Sequence, residues 1–127
     1  MNREEIIRKL KEYNLDVERY IIISGSAMVL YGIKDETPDI DISVTEDYEE
    51  ELLENNIALI EHVSSDGTLS YIINDELNFG QNYYSTNKVF IEGLPVQSIE
   101  DIIKLKEFLN RDKDKKDLEL IKRYLNR

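Results

Sequence analysis

The sequence predicts an α/β (α+β) domain, with a central mixed sheet and helices at both ends of the chain. Three observations carry that prediction. Residues 20–24 form a near-continuous apolar, β-branched run, as a central strand buried on both faces requires. Residues 39–44 alternate strictly between polar and apolar, the period of a strand with one face in a core. Ile6, Ile7 and Leu10 near the start, and Ile99, Ile102, Ile103 and Leu109 near the end, recur at helical spacing.

Taken in order, residues 4–13 read as a first helix, followed by the strand at 20–24. A short helix over 26–31 comes next, and Gly32 is placed to end it in a left-handed conformation. Thr37-Pro38 opens the strand at 39–44, and Thr45 can cap a helix over 47–55 whose acidic first turn suits the helix dipole. Two or three further strands are expected at 57–63, 69–73 and 88–92, which makes about four to five in the sheet. Turns are expected at Asp66-Gly67 and over Glu92-Gly-Leu-Pro95, while residues 74–87 carry no clear pattern. Ser98-x-x-Asp101 has the form of a capping box opening a helix to about Asn110, and a last helix spans about 114–124. No repeat or linker interrupts this order. One domain over 1–127 is expected, with a core at about 15–95 and a helical pair at about 98–126.

Composition narrows the function. The chain has 127 residues, 41% of them hydrophobic, enough for one packed core. It has no cysteine, which excludes a disulfide framework, a thiolate metal site and a thiol nucleophile. No apolar run approaches the length of a membrane span and the first residues are amphipathic, so a cytoplasmic protein with no membrane partner is expected. A formal net charge of -11 disfavours sequence-independent binding to nucleic acid. The charge is unevenly placed: residues 35–54 carry only acids, whereas 104–127 are basic on balance. An acidic section that needs cations and a basic section able to meet phosphate suit a metal–triphosphate substrate; read plainly, both are solvated helix faces.

Two short motifs carry chemistry. Gly25-Ser26 follows a buried strand and opens a helix, where a residue without Cβ lets the backbone approach a phosphate and the unpaired amides of the helix start form an anion site. The plainer reading is a turn glycine followed by a capping serine. Asp39 and Asp41 lie two apart on a strand, so they project to one face while Ile40 and Ile42 enter the core. Paired carboxylates repel unless a cation lies between them, and such oxygen ligands suit Mg²⁺ or Mn²⁺. Asp112 and Asp114 form the same pattern in a charged turn, but without apolar alternation.

Gly25-Ser26, twelve intervening residues, then Asp39-Ile40-Asp41-Ile42 resembles the signature of the DNA polymerase beta-like nucleotidyltransferase superfamily. Gly-Ser-Ala-Met-Val-Leu-Tyr-Gly-Ile-Lys followed by Thr-Pro-Asp-Ile-Asp-Ile is similar to small bacterial members, among them those of abortive-infection and toxin–antitoxin systems. The resemblance implies a minimal nucleotidyltransferase fold. Gly25 and Ser26 would hold the β- and γ-phosphates of a nucleoside triphosphate. Asp39 and Asp41 would be catalytic, binding two Mg²⁺ about 3.5–4 Å apart for in-line displacement at the α-phosphate. The acceptor hydroxyl would belong to a protein, a tRNA 3′ end or a small molecule, and a cognate toxin or antitoxin protein is an implied partner.

The superfamily also implies a third acid on a later strand. The nearest candidates are Asp75 and Glu76, after Tyr71-Ile-Ile73. Asp75 either ends that strand facing the site or serves as an ordinary turn aspartate. Lys106 falls on the apolar face of its helix and Asp117 on that of the next. Lys106 could reach the triphosphate, with Asp117 orienting it; alternatively Lys106–Asp117 or Arg111–Asp114 clasps lock the helices together. The sole histidine, His62, reads as a surface residue, and Tyr83 and Tyr84 either stack on a base or pack in a loop.

Overall fold

The computed structural model describes residues 1–127. Its elements are α1 (Arg3–Tyr13), β1 (Tyr20–Ile22), α2 (Ser24–Tyr31), β2 (Ile40–Val44), α3 (Glu46–Asn55), β3 (Ala58–Val63), β4 (Leu69–Ile73), β5 (Leu77–Gly80), β6 (Lys88–Ile91), β7 (Leu94–Gln97), α4 (Ile99–Leu109) and α5 (Asp112–Leu125). The helices start and stop where local chemistry provides partners. Asn2 and Glu5 close a capping box on α1, Gly32 ends α2 at φ +84°, and Ser98 accepts from the Asp101 amide to open α4. At the head of α5 the buried Asp114 carboxylate accepts from the Arg111 amide at 3.0 Å, which starts that helix two residues earlier than the sequence suggests.

The strands form one mixed sheet in the order β3-β4-β5-β2-β1-β7-β6. Its 7 strands exceed the expected four to five. The two extra ones, β5 and β7, lie where sequence patterning is weakest. The four residues of β5 follow a turn in which Asn74 and Asp75 both take φ +55°, too short a run for periodicity to register. Before β7, Glu92 (φ +52°) and Gly93 (φ +79°) make the two-residue hairpin alone. Leu94 and Pro95, read from sequence as part of the turn, instead pair with Ile91 and Phe90.

Alternation along β2 sets the two faces. Ile40, Ile42 and Val44 point to one side with Tyr20, Ile22, Leu77 and Phe79, and α1, α2 and α3 pack over them. This cluster of 20 buried residues runs from Ile6 to Ile121, so the C-terminal helices share the core of the sheet. The opposite face of the central strands carries Asp41, Ser43, Asn78 and Gly80. The segment after β5 crosses it, tied by the Ser43 hydroxyl, which donates to the Asn82 carbonyl at 2.6 Å. No helix of the chain is long and apolar enough to cross a membrane.

Candidate active site

The site is a consequence of how β1 and β2 are joined. They are antiparallel, with Ile22 opposite Ile42, and the ladder continues as the Ile23 amide donates to the Asp41 carbonyl at 2.9 Å. The chain therefore turns into α2 directly beside the aspartates. Ser24, at the first position of that helix, takes φ +58°, a left-handed conformation that costs a non-glycine residue about 1–3 kcal/mol. Ala27 gives the first helical bond, to Ile23, so the amides of Gly25 and Ser26 precede the hydrogen-bonded ladder. Ser24, Asp39 and Asp41 line one cleft of about 510 Å³, together with Asn78 and Gly80 of β5, Tyr83, and Arg111 and Lys113 at the α4–α5 junction.

Each expected residue has a definite place. Asp39 and Asp41 share the cleft, as their strand spacing predicts. Burial, and then the neighbouring Asp39 carboxylate, push the Asp41 carboxyl up to about 6, against opposing pulls from Lys113, the Asn78 amide and Lys106. A Cβ at Gly25 would lie 3.1 Å from Thr37 Oγ1, a tight approach to the end of a rotatable side chain. Ser26 is fully buried. Its hydroxyl accepts from the Asp41 amide at 3.0 Å and donates to the Ile23 carbonyl at 2.9 Å. That hydroxyl is thus occupied by backbone, and the serine of this turn that lines the cleft is Ser24.

Two expectations need correction, the third acid at Asp75 or Glu76 and the reach of Lys106 to a triphosphate. Asp75 stands in the left-handed turn before β5 and does not line the cleft; Glu76 pairs with Lys9 at 2.9 Å and accepts from Tyr13. At the position beside Asp41 the chain has Asn78, whose Nδ2 donates to Asp39 Oδ2 at 2.8 Å. No group of three or more Asp, Glu, His or Cys side chains in the chain is arranged to hold a metal ion. Lys106 does not reach the cleft either. It is buried between Asp117, at 3.0 Å, and Asp114, at 3.5 Å, because an ammonium among apolar neighbours needs its counter-charges at hand. Asp114 also holds Arg111 through two hydrogen bonds, of 2.6 and 3.0 Å, so both helix clasps form.

The cations that face the cleft are Lys113 and Arg111. Lys113 belongs to the basic section 104–127, and the sharp α4–α5 turn at Asn110 (φ +49°) brings it back to the sheet. His62 is exposed, as expected, yet it stands with Glu61 on the cleft rim, where the β3–β4 register shifts between Ile60 and His62. Of the two tyrosines, Tyr83 lines the cleft, whereas Tyr84 packs beneath Lys88 and donates to the Glu18 carbonyl. The alternation Leu77-Asn-Phe79 is too short to mark a strand, and the amide of Asn78 is not among the carboxylates that signal a metal site.

The donors in the cleft fit a hard divalent cation. Asp39 and Asp41 offer carboxylate oxygens on one face, and the buried Asn78 Oδ1 has no hydrogen-bond partner. The start of α2 and the Lys113 ammonium add positive potential on the walls, where an anionic tail would lie.

No protein-family model matches the chain, and no curated protein matches it in sequence. Solved structures do match. A candidate nucleotidyltransferase from Thermotoga maritima superposes with a TM-score of 0.63 at 20% identity, covering 99% of this chain and 96% of that one. ANT(2″)-Ia, crystallised in complex with adenylyl-2″-tobramycin, gives 0.58 at 18% identity, over 96% of this chain and 86% of that one. A candidate nucleotidyltransferase from H. pylori gives 0.52 at 17% identity, and there the match spans 82% of this chain but 56% of the other. The antiparallel β1–β2 pair, the helix between them, and the aspartates at the start of β2 (Asp39 just before it, Asp41 within it) are thus set in an architecture shared along almost the whole chain: this protein has the nucleotidyltransferase fold.

Proposed function

We propose that the chain is a nucleotidyltransferase that takes a nucleoside triphosphate with Mg²⁺ or Mn²⁺ and moves the nucleoside monophosphate to an acceptor hydroxyl. The observation that carries this reading is the meeting, in one cleft, of the Asp39 and Asp41 carboxylates, the start of α2, and the cations of Lys113 and Arg111. A divalent cation held by the two aspartates would supply positive charge to the α-phosphate and to the leaving pyrophosphate. The chain does the rest. Amides at the head of α2 and the Lys113 ammonium receive phosphate oxygens, and Tyr83 offers a ring for the base. Asp41, with a carboxyl pushed up to about 6, gives up its proton readily at neutral pH once a cation is beside it.

The acceptor is a protein hydroxyl, a tRNA 3′ end or a small molecule. The complex of ANT(2″)-Ia with adenylyl-2″-tobramycin supports the last, and a net charge of -11 argues against a long nucleic acid. The resemblance of the Gly-Ser and Asp-Ile-Asp motifs supports a toxin–antitoxin or phage-defence setting with a cognate protein partner. Incubation with each labelled triphosphate, Mg²⁺ and cell extract should label an acceptor, and Asp39→Asn with Asp41→Asn should abolish the label. Equal labelling by the double variant rejects the assignment.

One observation favours a second reading, a partner-binding module such as an antitoxin: an amide, Asn78, stands where a third carboxylate would complete the site. That reading expects no labelling by the wild type, and a partner protein retained by the double variant.

A further inference from the structure

Asn78 is placed by the sheet as firmly as the aspartates are. It pairs in register with Asp41 on the parallel strand β5, so the two side chains leave the same face of the sheet. Its Nδ2 donates to Asp39 Oδ2 at 2.8 Å, while its Oδ1 is buried and has no partner. Leaving a buried carbonyl oxygen unpaired costs about 1–3 kcal/mol, so natural structures seldom tolerate it without a reason.

The chemistry of the amide supplies a reason. With no cation present, the two N–H groups of Asn78 ease the repulsion between Asp39 and Asp41. A cation between the carboxylates reverses the preference, attracting Oδ1 and repelling Nδ2. The terminal torsion of asparagine is broad and two-fold, so the side chain can exchange one end for the other without moving the strand.

We infer that Asn78 is the third, uncharged oxygen ligand of a divalent-cation site formed with Asp39 and Asp41, and that this site fills only when a triphosphate arrives with the metal. The inference rests on the nucleotidyl-transfer reading and specifies how its metal is held. Affinity for hard cations follows the number of ligand charges, and this site contributes two rather than three. Lys113, which lines the same cleft, further reduces its pull on a free cation. The triphosphate oxygens make up the missing charge, so metal and nucleotide bind as one unit.

The test is a Mn²⁺ titration followed by electron paramagnetic resonance, on the full chain, with and without a non-hydrolysable triphosphate analogue. Wild type should bind Mn²⁺ weakly alone and at least tenfold more tightly with the analogue. Asn78→Asp should tighten binding of Mn²⁺ alone by tenfold or more. Asn78→Ala, which removes the oxygen, should weaken the ternary complex about tenfold. The inference is overturned if Asn78→Asp binds free Mn²⁺ no better than wild type, or if Asn78→Ala holds Mn²⁺ and analogue as tightly as wild type. A wild type that takes up no Mn²⁺ even with the analogue overturns the nucleotidyl-transfer reading together with this one. Thermal melts of each variant identify any that fail to fold, and either variant alone decides the question.

Discussion

Replacing Asp41 with Asn should make the metal-free protein more stable above pH 7, although the residue stands at the centre of the site. The Asp41 carboxyl is raised from 3.8 to about 6, first by burial and then by the Asp39 charge. A carboxyl raised on folding binds its proton more tightly in the native state. Its favourable contribution is therefore complete below the unfolded value, and is lost as pH rises through the folded one. Above about pH 7 the native protein carries a charge there that it would rather not hold. A shift of about two units corresponds to about 3 kcal/mol, and partial access to water in the open cleft reduces this to about 2 kcal/mol. For a domain of this size that is about 8 °C in Tm. The assay is calorimetry in EDTA at pH 8 and at pH 4, comparing variant and wild type at each pH so that other groups cancel. The variant should melt higher at pH 8, and the difference should nearly vanish at pH 4. Addition of Mg²⁺ and nucleotide should stabilise only the wild type. An Asp41→Asn protein that melts at or below wild type at pH 8, or whose advantage persists at pH 4, would refute the burial argument.

Ser26→Ala removes a buried hydroxyl and leaves the Asp41 amide without its acceptor, at a cost of about 1–3 kcal/mol in urea denaturation. The same variant should also weaken nucleotide binding, measured by calorimetric titration, because the start of α2 loses its tie to β2. Asp114→Ala strands the buried Lys106 beside Asp117 alone and frees Arg111, and should cost about 3–5 kcal/mol; adding Lys106→Met should recover part of that loss in the double variant.

Much of the site was legible before any coordinates, for a physical reason. Asp39, Asp41 and their apolar partners lie on a strand whose period of two places every side chain on a known face. Two of the helix ends likewise announced themselves, since Gly32 and Ser98 mark ends with residues suited to each end's geometry. What stayed hidden depended on non-local pairing. The position of Asn78 is set by β5 joining β2 in parallel, a contact between residues 37 apart in sequence that no local pattern encodes. Lys106 illustrates the converse. Its place on an apolar helix face was legible, but whether it met phosphate or carboxylate turned on the packing of α5. Ser26 carries a signature shared by capping, phosphate binding and cross-strand bonding, and the pairing of β1 with β2 is what gives its hydroxyl the Asp41 amide as a partner.

The Ser26 hydroxyl has a wider consequence. It fastens the head of α2 to the backbone of β2 at Asp41, so the chain between these two residues is a loop closed at its base. The spacing between the place for an anion and the place for a cation is set by that stitch, not by the length of the excursion. Insertions or deletions around residues 33–36 should therefore change what the outer surface presents while leaving the reactive gap at constant width.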